Sequence, residues 1–229
     1  MMDFTSVRAM LDRMRENGEA SVDASGLVEQ VRAICRGIDY AQLRNHADRE
    51  SIPASRRYST GLNLGYLGYY TLSDVRIQIT SNMRRGRLVR NPGNNSDYTY
   101  EYDKAGELLR IYEPDVFAIT YYCAKKDVRC FVTFDSYAAR ETPSIKNTAF
   151  AKYDREGYPE AILDIFWYHD DLTLSSIDID IYEPPCGHTQ KCHLLDVIQD
   201  SQNGTFHSFP LIDCATITYD DRGKILSVD

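Results

Sequence analysis

The densest set of soft ligands in the chain is the stretch Cys186-Gly187-His188-Thr189-Gln190-Lys191-Cys192-His193. Zinc takes four thiolate, imidazole or carboxylate ligands in a tetrahedron, commonly as two close pairs held by different turns. Cys186, His188, Cys192 and His193 could supply ligands from one loop, and Cys123 and Cys130 could add a pair across a hairpin. The spacing lacks the C-x2-C knuckle of common zinc sites. The expectation is therefore ordinary thiols and no cofactor, zinc being the metal these residue types would take. The same residues could form a Cys/His nucleophilic pair if a thiolate stood beside an imidazole in a cleft.

Carboxylates make the second candidate. Asp178 and Asp180 alternate with Ile177, Ile179 and Ile181, which puts both acids on one face of a strand. Paired carboxylates bind hard cations or move protons. A solvated strand face has the same alternation, and charge on an exposed strand discourages edge-to-edge aggregation; that is the expected reading. Tyr98, Tyr100, Tyr102 and Tyr182 join these two acids as a candidate binding surface, because tyrosine supplies contact area with few rotors. The chain has seventeen Tyr against eight Phe and one Trp. Cross-strand packing is the other use for so many rings. Arg84, Arg85, Arg87 and Arg90 form a basic cluster read as a solvated turn.

The 229 residues carry a formal net charge of -8. That argues against a nucleic-acid binder, whose footprint is basic, and suits a basic protein partner reached by electrostatic steering. No apolar run reaches bilayer length, and the start Met1-Met2-Asp3-Phe4-Thr5 lacks the basic-then-apolar pattern of a secretory signal. The expected location is the cytoplasm, with reduced cysteines.

Two helices should open the chain. Phe4, Val7, Leu11 and Met14 make one stripe, ended by Asn17-Gly18; Leu27, Val31, Ile34 and Ile38 make a second that runs on through Leu43. After a linker at Pro53–Arg57, strands follow. Val75, Ile77 and Ile79 read as a strand, and Leu194–Ile198 as a short helix in a loop-rich stretch. The fold class is α+β: a helical hairpin over 1–50 packed on a long, twisted antiparallel β-meander over 58–229, curled or in two layers, as one cooperative unit.

The meander is punctuated by a turn signature used three times. Tyr102-Asp103-Lys104-Ala105-Gly106 and Tyr153-Asp154-Arg155-Glu156-Gly157 share it, and Tyr219-Asp220-Asp221-Arg222-Gly223 is a looser copy. The Asp side chain accepts backbone N–H groups of the turn, and Gly supplies the positive φ that rejoins the second strand. The first and third copies resemble the YD repeats of bacterial Rhs-type proteins over a small part of the chain. Long dissimilar segments separate them here, so the resemblance implies the hairpin style and not an encapsulating shell.

These readings converge on a non-enzymatic protein-binding module, an immunity-like or inhibitor-like bacterial protein that blocks a basic toxin or effector. A hydrolase using the Cys/His loop or an Asp-held metal is the alternative from the enzyme class. A structural or surface-associated hairpin protein is the third.

Overall fold

A computed structural model describes residues 2–49, 53–60, 74–81, 87–91, 98–106, 108–113, 118–125, 128–135, 144–168, 172–222 and 225–229. The antiparallel α+β class is as the sequence predicts.

Helix α1 spans Phe4–Asn17. Asp3 caps it by accepting the Thr5 N–H at 2.9 Å, and Gly18 ends it at φ +64°. Helix α2 spans Ser25–Arg36 and buries Leu27, Val28, Val31 and Cys35. It does not run on through Leu43. The chain turns at Gly37–Asp39, Asp39 accepts the Gln42 N–H at 3.0 Å, and a separate helix α3 spans Tyr40–Arg49. An Asx-type cap at Asp39 thus wins over continued apolar periodicity.

Among the described residues thirteen strands form one sheet. They are β1 (Val22–Asp23), β2 (Ser55–Thr60), β3 (Arg87–Val89), β4 (Tyr98–Tyr102), β5 (Leu108–Glu113), β6 (Ala118–Lys125) and β7 (Val128–Asp135). The rest are β8 (Ile145–Tyr153), β9 (Pro159–Trp167), β10 (Leu174–Tyr182), β11 (Thr189–Gln199), β12 (Phe206–Tyr219) and β13 (Ile225–Val228). The order is β1-β12-β11-β10-β9-β8-β7-β6-β5-β4-β2-β3, with β13 also on β12. From β4 to β12 each strand lies beside its neighbour in sequence, which is a meander.

Two turn signatures behave as read. Gly106 and Gly157 adopt φ +85° and +92°, and Asp154 accepts the Tyr158 N–H at 2.8 Å. In the third, Asp220 accepts the Arg222 N–H at 2.9 Å, while Gly223 lies outside the described residues. Leu194–Ile198 is strand rather than helix, part of β11. The Gly- and Tyr-rich stretch 65–71, the turn at 84–86 and the loop at 92–96 lie outside the described residues.

Alternation gives the sheet two faces. On one, Leu163, Ile165, Ile177, Ile179, Ile181, Leu195 and Val197 pack against the buried stripes of α1 and α2. Tyr40 and Leu43 of α3 extend this layer over Tyr121 and Phe134. On the other face, Ile162, Leu194 and Ile217 form a second core. Its cover is a short helix, α4 (Asp74–Ser81), where the alternation of Val75, Ile77 and Ile79 predicts a strand. Val75 and Ile79, one helical turn apart, both join that core, so the burial is satisfied by a helix as well as by a strand.

Candidate functional site

Three neighbouring strands each place a carboxylate in one row on the α4 face. Asp164 of β9 is paired with Asp178 of β10, and Asp178 is paired with Asp196 of β11. Asp180 follows two residues along β10, hence on the same face. Like charges directly opposite one another destabilise a sheet unless something compensates them.

Arg76 of α4 is that compensation. Its Nε donates to Asp180 Oδ1 at 3.0 Å and its Nη1 to Asp196 Oδ1 at 2.5 Å. Its Nη2 donates to the carbonyls of Ile179 and Leu195 at 3.1 and 2.8 Å. Arg76 is buried, as is Asp180. Burial opposes the guanidinium charge, but Asp180, Asp178 and Asp196 outweigh it and hold Arg76 firmly protonated. The planar fork suits this work, which a lysine point charge could not reproduce.

One cation does not neutralise four acids. The Arg76 Nε–Asp178 Oδ2 distance is 3.8 Å, beyond hydrogen-bond reach. Asp164 takes a 2.6 Å hydrogen bond from Asn147 Nδ2. Protein packed around Asp164 pushes its carboxyl up to about 7, with Asp178 and Asp180 adding to the effect and Asn147 opposing it. Burial likewise pushes Asp178 up to about 6 against the pull of Arg76. The side chains of Asp178 and Asp196 keep 28% and 34% exposure, so solvent reaches part of the row.

Beyond the row the same face is apolar and open. Phe209 is paired with Asp196, and Ile198 is paired with His207, so Phe209, Ile198 and His207 share the carboxylates' face. Ile198 is 48% exposed and Phe209 37%. Leu211 is exposed further along β12, as is Tyr168 at the end of β9.

The opposite face holds a second polar group. His193 is fully buried, its Nδ1 against the Asp213 carbonyl and its Nε2 2.9 Å from Glu183 Oε1. Arg15 at the end of α1 also reaches Glu183, at 3.3 Å. The His193 hydrogen bond is the main cause that holds the Glu183 carboxyl below the usual range.

The predicted ligand set is not brought together. Cys186 is exposed in a turn bridged to Thr189, and His188 is exposed 3.7 Å from Asp221. Cys192 is buried on the α4 face, where burial raises its thiol, while His193 points to the other face. Cys130 is paired with Cys123 across β6 and β7, as the hairpin predicts; the Cys123 side chain lies outside the described residues. No group of three or more Cys, His, Asp or Glu among the described residues is arranged to hold a metal. The candidate binding surface divides as well. Tyr98, Tyr100, Tyr182 and Asp180 are buried, Tyr102 is half-buried and Asp178 is partly open. The acids of β10 lie on a central strand under a helix, not on a solvated face, because α4 brings an arginine to cover them. Arg90 is exposed; the side chains of Arg84, Arg85 and Arg87 lie outside the described residues.

A cavity of about 390 Å³ opens between the start of α1 and the sheet, lined by Met2, Phe4, Arg8, Lys152, Glu160 and Ile181 among others. None of the predicted ligand or carboxylate residues lines it. Asp164, Asp196, Asn147 and Arg76 escape sequence reasoning. Asp164 and Asp196 each interrupt a continuous apolar run, Ala161–Trp167 and Leu194–Ile198, which marks a buried strand but neither face nor register.

No helix among the described residues is long and apolar enough to cross a membrane. Compared with protein-family models, with curated proteins and with solved structures, the chain matches none.

Proposed function

We propose that this chain is a non-enzymatic protein-binding module acting in the cytoplasm, immunity-like or inhibitor-like in its action on a basic toxin or effector. One observation carries the reading: an exposed apolar patch, Ile198 with Phe209, lies on the same sheet face as a partly open row of acids, Asp178 and Asp196. Apolar anchors beside acids that one arginine only partly compensates are the makings of an interface that steers by charge and holds by burial. The partner that fits is a protein with a basic, apolar-centred surface.

Affinity capture from the native host with the wild-type chain and with the I198S/F209S variant tests this. The expected result is a basic protein held by the wild type, lost by the variant, and bound again when both proteins are purified and mixed. Equal capture by the two chains, or turnover of hydrolase substrates that survives purification, would count against the reading.

A further inference from the structure

We propose that the cavity between α1 and the sheet binds a small carboxylic acid with an apolar body, its carboxylate held by Arg8. The site lies on the α1 face and is independent of the protein-binding reading, whose apolar patch is on the other face.

One cross-strand row makes the floor. Val128 of β7 is paired with Lys152 of β8, Lys152 with Ala161 of β9, and Ala161 with Ile181 of β10. All four residues line the cavity. Ala161 is the short member of the row, a single methyl between longer side chains, which leaves room under the helix. The wall is the start of α1. Phe4, Val7 and Arg8 line the same space, and their spacing of three and four residues puts them on one side of the helix. The volume of about 390 Å³ falls within the range of small-molecule sites, about 300–1,000 Å³.

The charges at the cavity leave one without a counter-charge. Lys152 and Glu160 neutralise each other across 2.6 Å. Asp3 accepts the N–H and the hydroxyl of Thr5, and its charge sits at the helix N-terminus, where the dipole favours it. Arg8 is half-buried, and its Nη2 donates to the Tyr182 carbonyl at 2.9 Å. That bond uses one donor and no charge. No carboxylate among the described residues pairs with Arg8. Anchored at one corner, the guanidinium keeps the rest of a planar fork that matches a carboxylate. One uncompensated cation calls for a monoanion; a phosphate would bring further negative charge toward Glu160 and Asp3. Val7, Val128 and Ile181 then take the apolar body of the acid, as the walls of small-molecule sites commonly do.

The test is titration with sodium octanoate at neutral pH, followed by the methyl NMR signals of Val7, Val128 and Ile181. Octanol and octylamine carry the same chain with no charge and with the opposite charge. Octanoate should shift those three residues and bind more tightly than octanol, and octylamine should bind least. Arg8→Met should weaken octanoate about tenfold or more while leaving octanol unchanged. Arg36→Met, which removes equal charge from an exposed position of α2, should change octanoate less than about twofold. Ala161→Leu fills the floor and should abolish binding of octanoate and octanol alike. Thermal melts check that each variant folds, and Arg8→Gln serves if Arg8→Met does not. The ranking of the three ligands on the wild type needs no variant. No saturable shift at millimolar octanoate, equal binding by the Arg8 variant, or shifts centred on Ile198 and Leu211 instead would overturn the site. A partner captured from the host with no octanoate binding refutes this site alone; octanoate binding with no captured partner refutes the protein-binding reading alone.

Discussion

The Arg76 Nε lies 3.0 Å from Asp180 Oδ1, which fastens a short helix outside the sheet to the middle of a central strand. An eight-residue helix has little stability of its own. Its hold on the sheet comes from Val75 and Ile79 and from this buried ion pair. Arg76→Met should therefore strand the Asp180 carboxylate and cost about 3–5 kcal/mol. R76M/D180N should recover most of the loss, since the principal pair is then removed together. Urea unfolding of the two single variants and the double one measures the coupling; additive losses would mean that the pair is not the latch.

The acid row makes stability depend on pH in an unusual direction. The Asp164 and Asp178 carboxyls stand at about 7 and about 6 in the folded chain, above the ordinary aspartate value. Between roughly pH 4 and 7 the folded state therefore keeps protons that the unfolded chain releases, so their contribution falls as pH rises. Glu183 acts the opposite way: its folded carboxyl is depressed, and its contribution is lost as pH falls through that lowered value. The comparison that isolates the row is wild type against D164N. The melting temperature of D164N should gain on the wild type steadily from pH 4.5 to 8. A constant difference across that range would contradict the assignment.

A second buried carboxylate joins three strands elsewhere in the sheet. Glu101 is 2% exposed, takes Arg56 Nε at 2.8 Å and takes Arg110 Nε at 2.6 Å. Glu101→Gln removes the charge shared by both guanidinium groups and should cost about 2 kcal/mol or more. The loss should be local. Hydrogen exchange should rise in β2, β4 and β5 well before β9 to β11.

The turn signature gives a backbone test. At Gly157 an added Cβ would meet nothing within 4 Å, while φ is +92°. Gly157→Ala should thus cost about 1 kcal/mol purely through conformation. Gly157→Asn should cost less, because Asn tolerates positive φ better. Thermal unfolding reads both, and equal stability of all three chains would show that the hairpin relaxes without the glycine.

The meander was legible because its signals are local. Each Tyr-Asp-x-x-Gly turn and each alternating run announces its own hairpin without reference to distant residues. The candidate site was only half legible. Asp178 and Asp180 could be placed on one face, but nothing in the sequence says that β9 and β11 bring Asp164 and Asp196 into register beside Asp178. Arg76 was hidden for another reason: Val75, Ile77 and Ile79 fit a strand as well as they fit a helix. Only packing of Val75 and Ile79 against the sheet decides between them. The Cys186–His193 stretch misled because density in sequence is not proximity in space; half of it is a strand whose neighbours point apart.

The sheet's strand order has a consequence for how the chain reaches its fold. From β4 to β12 every pairing joins sequence neighbours, so each closes a short loop and can form as the chain lengthens. The N-terminal elements cannot finish in the same way. Arg8 of α1 donates to the Tyr182 carbonyl, 174 residues away, and β1 pairs with β12. Helices α1 and α2 are made before these strands and must wait, apolar stripes uncovered, until β10 and β12 follow. Over that interval the uncovered stripes are open to aggregation, and slowed translation of β10 to β12 would lengthen the exposure.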